Sequence, residues 1–236
     1  MDKDVEKMAV SAGFYKKIKQ WMIDSEAGKI AYQPFQANGN PYKAKIFIIG
    51  ATPEPHLQIH PDNLDFYARF LVDSEGFQEI FQEEINAASR EYKGCLNFME
   101  WMKGNHNETV VLSYLNSLYV ENTQSLKELK KQKHPLFTKG TQLLQEILNE
   151  FAPKILIVQG ASNWKLFLDQ FGDQLVDVVS INESVQQLES RGVVAKLLLT
   201  NGEEVNVLAC RTLGNFGKTG TSFSELKQIV LNLLQE

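Results

Sequence analysis

Cysteine is nearly absent: Cys95 and Cys210 are the two in 236 residues. Two thiols cannot ligate an iron–sulfur cluster by themselves or build a multi-bridge framework, so buried free thiols are the expectation. Histidine is as sparse, with His56, His60, His106 and His134, and no Cys-x-x-Cys pair accompanies them, so neither a metal nor a cofactor is expected. Long apolar runs are missing too. Segments such as Lys45-Ile-Phe-Ile-Ile-Gly50 fall far below the roughly 18 residues of a membrane helix. The start, Met1-Asp-Lys-Asp-Val-Glu-Lys, is charged and mixed in sign, without the apolar core of a secretory signal; a cytoplasmic chain without a membrane partner is the expectation. Positive charge is in deficit, 24 basic against 29 acidic residues for a net −5, which opposes non-specific attraction to nucleic acid.

What is present reads as one α/β domain over residues 1–236, a monomer, with an N-terminal helix inside 1–28 packed on a core of 29–236. Val5, Met8, Ala12, Tyr15, Ile18 and Met22 recur at helical steps and predict a helix over 4–24. Residues 45–50 and 154–159 are continuous β-branched and aromatic runs, the mark of strands buried on both faces of a parallel sheet. A further strand is predicted at 109–115, a short one at 175–179, and a hairpin pairing 193–199 with 205–210 across Asn201-Gly202. Between them, 62–103, the stripe Leu143, Leu144, Ile147, Leu148 and Phe151, and 161–171 read as helices. A capping box at Ser222-Phe-Ser-Glu225 opens the last one. The alternation predicts a three-layer α/β/α domain around a mostly parallel central sheet, whose ligands bind beyond the carboxyl ends of the strands.

The loops at those ends are therefore where chemistry is sought. Gly50-Ala-Thr-Pro-Glu-Pro-His56 is a rigid strand exit that suits holding a reactive group. Asn116, after the second strand, offers a donor and an acceptor to an amide-like edge, and equally reads as an ordinary strand terminator. Cys210-Arg-Thr-Leu-Gly-Asn-Phe-Gly-Lys-Thr-Gly-Thr-Ser222 carries three glycines, Arg211 and Lys218 ahead of a helix, a phosphate-binding pattern. Gly217-Lys218-Thr219 approaches a Walker motif, but Thr212 holds the first glycine position. Lys127, Lys130, Lys131, Lys133 and Lys139, with Glu128 among them, form a patch of about +4 that also reads as a solvated helix face.

Taken in order, Ile48-Ile-Gly-Ala-Thr-Pro53, Leu112-Ser-Tyr-Leu-Asn116, Pro153-Lys-Ile-Leu-Ile-Val-Gln-Gly160 and Val207-Leu-Ala-Cys-Arg-Thr-Leu213 resemble the uracil-DNA glycosylase superfamily from about residue 30 onward. The resemblance implies that fold, a DNA partner, and hydrolysis of the N-glycosidic bond of a flipped base. It implies that Gly50, Ala51, Pro53 and Asn116 contact the base, and that Thr52 or Glu54 positions water. Arg211 would steady the departing base, and Thr212, Leu213, Gly214, Phe216 and Lys218 would grip DNA, with Leu213 or Phe216 as the wedge. Phe66 and Tyr67 are stacking candidates that read first as core aromatics. Thr52 stands where relatives have Asp or Asn, Ala51 where others have Glu, and Cys210 where the family has His. A catalytically silent binding module of the same fold is the alternative.

Overall fold

The computed structural model describes residues 11–54, 63–120, 122–179 and 183–235. Helix α1 (Ala12–Met22) begins where the Ser11 hydroxyl accepts from the Phe14 amide, and it buries Phe14, Ile18, Trp21 and Met22 on one face. Positions 4–10 of the expected helix lie outside the described residues. A small antiparallel turn, β1 (Ile23–Asp24) with β2 (Lys29–Ile30), leads to β3 (Phe35–Ala37) and to β4 (Ile46–Gly50).

The acidic stretch expected as helical is four helices: α2 (Leu64–Phe70), α3 (Ser74–Ile80), α4 (Gln82–Ala87) and α5 (Arg90–His106). Two of the three breaks fall at capping side chains, and the third, at Phe81, has none. Asp73 accepts from the Gly76 amide and Ser89 from the Tyr92 amide, an alternative to continuing the helix that short polar side chains provide. Then follow β5 (Val110–Tyr114), α6 (Thr123–Lys131), α7 (Pro135–Phe151), β6 (Ile155–Gln159), α8 (Ala161–Phe171) and β7 (Leu175–Val176). This last strand is shorter than the predicted 175–179 because Asp177 turns the chain at φ 53°. The chain ends with α9 (Val185–Arg191), β8 (Val193–Leu198), β9 (Glu204–Cys210) and α10 (Ser224–Gln235).

Seven strands form one sheet in the order β3-β5-β4-β6-β9-β8-β7. The four central strands, β5, β4, β6 and β9, run parallel, while β3 at one side and β8 with β7 at the other pair antiparallel. Every residue of β4, β5 and β6 is buried, as continuous apolar runs require when helices cover both faces. On one face Gln36, Tyr114, Gly50 and Gln159 share a side with α5, whose Tyr92 and Cys95 bond Gln36 and Gln159. On the other face Phe47 meets Phe151 of α7, and α1 adds Phe14 and Trp21 to the same aromatic cluster.

The docking of α1 has an electrostatic part. Lys17 pairs with Glu150, and the Tyr42 hydroxyl donates to the same carboxylate at 2.5 Å, so Glu150 is held below the usual carboxylate range, first by Lys17 and then by Tyr42. A carboxylate with a depressed folded-state pKa stabilises the fold above its unfolded value and stops doing so as pH falls toward the folded one. Amide exchange in α1 should therefore accelerate relative to β4 as pH drops below the ordinary glutamate range, and Glu150→Gln should abolish that difference.

The expected capping box at Ser222 and Glu225 does not form. The Ser222 hydroxyl donates to the Asn215 carbonyl, Glu225 accepts from Ser190, and a 3-10 turn, Thr221–Phe223, precedes α10. Among the described residues a capping box forms instead at Ser184 and Gln187.

Candidate functional site

Parallel strands aim all their carboxyl ends at one edge of the sheet. From β4 the chain crosses to β5 on one side, then returns past β4 to β6 and β9 on the other, so the crevice-forming reversal lies between β4 and β6. Along this edge lie Gly50, Asn116 and Arg211, which belong to the three loops singled out from the sequence, and Gly160 at the end of β6.

The cleft itself, about 630 Å³, opens over the ends of β6 and β9. Its walls include Glu91 in the first turn of α5, Gly160, Ser162 and Asn163 at the start of α8, and Arg211 with Thr212. Gly160 takes φ 83°, a conformation that favours glycine, and turns the strand directly into α8. Having no side chain, it leaves the first amides of that helix uncapped, which makes the entrance electropositive. Asn163 is 8% exposed, and its amide lines the cleft without a side-chain hydrogen bond among the described residues. An amide that opens to the cleft and makes no hydrogen bond within the protein is available to a polar ligand. Glu91 is exposed and makes no ion pair among the described residues.

Arg211 borders the cleft but is committed at one end. Its Nε and Nη2 reach Glu189 at 3.1 and 2.9 Å, Nη2 also donates to the Ser222 carbonyl, and the plane lies 4.8 Å from the centre of Phe223. The Glu189 carboxylate, itself buried, raises the arginine pKa further, so the group is a fixed cation. Nη1 keeps its donors, without a partner among the described residues.

The rest of the 210–222 loop differs from the phosphate cradle and wedge that the sequence suggested. Leu213 and Phe216 are buried, the first donating its amide to Gln159 and the second packing against Phe98, Trp101 and Phe223, so neither is available to enter a base stack. Gly220 is there because a Cβ would meet the Phe216 ring at 2.3 Å, and Gly214 lies against the backbone of Arg90. Gly214 and Gly220 thus serve packing around an aromatic plug, while Gly217 turns the chain at φ 61° with open space around it. Thr212 accepts from the Gly214 amide, and Lys218 is exposed.

At the first loop, Gly50 lies flat beneath Tyr114, whose ring would be 3.4 Å from a Cβ. Ala51 and Thr52 are half-buried, Pro53 and Glu54 buried, and positions 55–62, including His56, lie outside the described residues. The Glu54 carboxylate accepts from the Ser89 amide at 3.0 Å, so it caps the same helix whose first turn carries Glu91. Behind it the Tyr92 hydroxyl donates to Gln36, and burial raises Tyr92 and Tyr114 and pushes Cys95 up to about 12. Cys210 is raised as well, also by burial. Both cysteines are free and buried, as their number implied, and neither is a thiolate nucleophile near neutrality.

Asn116 is saturated. Its amide nitrogen donates to the Phe137 carbonyl and to Thr141 of α7, and its oxygen accepts from the Leu118 amide in its own loop; Asn116 is not part of the cleft wall. The base-reading role expected of it has no free donor to use. Asn116→Ala is instead expected to lower unfolding free energy by about 2–4 kcal/mol, by stranding three partners in a buried turn, and urea denaturation measures this. Phe66 and Tyr67 stand on α2 against α1 and Phe81, a core placement away from the cleft residues. Sequence reasoning missed Glu91, Asn163 and Glu189. Asn163 had a legible signal, a polar residue in the first turn after a strand-ending glycine; the other two become neighbours of the cleft only through tertiary packing. Compared with known proteins, the chain matches no family model and no curated sequence.

Proposed function

We propose that this chain is a DNA glycosylase-like hydrolase of the uracil-DNA glycosylase type, acting on a base flipped into the cleft at the ends of β6 and β9. The observation that carries the reading is that one cleft brings together an unpaired carboxylate, Glu91, an unpartnered amide, Asn163, and an uncapped helix N-terminus. Each of the three suits one demand of N-glycosidic bond hydrolysis. Water attacks the sugar carbon, its proton passes to Glu91, and the bonding pair leaves with the base. The carboxylate also favours the cationic sugar, while the α8 amides and Arg211 Nη1 favour the departing anion. Asn163 supplies the amide edge that Asn116 cannot. The hydrolysis requires no cofactor.

A second reading, a silent binding module, is favoured by the internal pairing of Arg211 with Glu189 and by the saturation of Asn116. Mass spectrometry of free bases separates the two, with the protein incubated with single- and double-stranded DNA carrying uracil, hypoxanthine and modified cytosines. Release of one base supports the hydrolase. Binding without release of any base moves the assignment to the module.

A further inference from the structure

We propose that the exposed lysines of α6 are a second anchor for the nucleic acid held in the cleft, and that the ligand is a single strand extended along the carboxyl edge of the sheet. This rests on the proposed nucleic-acid function. Helix α6 packs Leu126 and Leu129 against the body, which turns Lys127 and Lys131 outward, with Lys130 flanking and Lys133 just beyond the helix end. All four are exposed, and none of their ammonium groups makes a hydrogen bond or ion pair among the described residues. Glu128 is engaged by Gln124. Lys139 does not belong to the patch: it donates to the Ile23 carbonyl and lies 5.1 Å from the Tyr32 ring centre.

Lysines in a last helical turn are favourable to the helix itself, which accounts for Lys130 and Lys131. It does not account for Lys127 or for Lys133, held at φ 51° past the end. In a chain of net charge −5, four unpaired cations on one face are a concentrated exception.

Their place in the fold gives them a use. Asn116 bonds Phe137 and Thr141, so α7 starts beside the carboxyl end of β5, and the end of α6 joins it directly. The lysines and the cleft therefore share one edge of the sheet, with β5 two strand spacings, roughly 10 Å, from β6. An extended strand covers that in a few nucleotides. Leu213 and Phe216 are buried, so that loop offers no wedge to hold open a duplex, and the substrate best matched is already unpaired.

Fluorescence anisotropy tests this with labelled single strands of about 4 and about 16 nucleotides and the 16-nucleotide duplex, across a potassium chloride series, on the full chain and on its Lys127→Gln, Lys130→Gln, Lys131→Gln, Lys133→Gln variant. The expected result is tighter binding of the long strand than of the short one or of the duplex. In the fourfold variant, long-strand affinity should fall about tenfold or more, with a salt slope shallower by about 3, and short-strand affinity should be unchanged. Equal affinity of the full chain for both strand lengths, with an unaffected variant, overturns the anchor and leaves the cleft reading standing. Tighter binding of duplex overturns the single-strand assignment. Lysine-dependent binding to phosphatidylserine vesicles with none to any oligonucleotide overturns both this inference and the nucleic-acid function.

Discussion

A single methyl group at position 94 is expected to cost about 3 kcal/mol or more of unfolding free energy. Gly94 sits inside α5 where the 210–216 loop crosses it, and an added Cβ would lie 1.9 Å from the Leu213 carbonyl oxygen, 2.4 Å from its carbon and 2.9 Å from the Gly214 nitrogen. All three atoms are backbone, so no side-chain rotation relieves the overlap. The loop would have to lift, breaking the Leu213 amide bond to Gln159 and dragging Phe216 from its place against Phe98. Ordinarily Gly→Ala in a helix is worth roughly 1 kcal/mol of stabilisation, so the sign of the result is diagnostic. Urea denaturation of Gly94→Ala measures it, and a variant as stable as the parent would mean that the loop does not rest on α5. Because the same loop carries Arg211 and Thr212 to the cleft, ligand binding should weaken together with stability.

Glu91→Gln is expected to lower base release by about 10²–10⁴-fold while changing stability by less than about 1 kcal/mol. The small stability effect follows from exposure: the carboxylate touches no partner among the described residues and acts on the fold through the dipole of α5. Glu54→Gln provides the contrast. Glutamine can still accept from the Ser89 amide through its carbonyl oxygen, so α5 stays capped and turnover should persist at near-parent levels. If instead Glu54→Gln abolished release and Glu91→Gln spared it, water would be activated from the first loop and the assignment of Glu91 would be wrong. Single-turnover kinetics on both variants, with thermal melting as the fold control, gives the answer.

Much of the architecture was legible because its signals are local. Runs such as 45–50 and 154–159 are too apolar and too short for anything but strands covered on both faces, and the period of Leu143, Leu144, Ile147, Leu148 and Phe151 is that of a helix with one buried stripe. The Asn201-Gly202 hairpin and the helix at 161–171 were equally readable. Division of 62–103 into four helices was harder, since Asp73 and Ser89 cap helices only when the chain around them actually turns, and the same residues are tolerated on an exposed helix surface.

The candidate site was legible in part, as a place and not as a set of side chains. Strand polarity alone directs attention to the loops after Gly50, Tyr114, Gln159 and Cys210, because parallel strands must end together. Which side chains those loops present to a ligand depends on contacts between residues far apart in the chain. Asn116 is withdrawn by α7, Phe216 by Phe98 and Trp101, and Arg211 is half-committed by Glu189, 22 positions away. Glu91 and Asn163 face one cleft although 72 positions separate them (163 − 91). Residue types and spacing thus determined the strands, the helical stripes and the edge of the sheet where a ligand belongs. Tertiary packing decided which polar groups were consumed in holding the loops and which were left over for chemistry, because a hydrogen bond is satisfied by whatever partner the fold brings within 3 Å, and no local pattern encodes that partner.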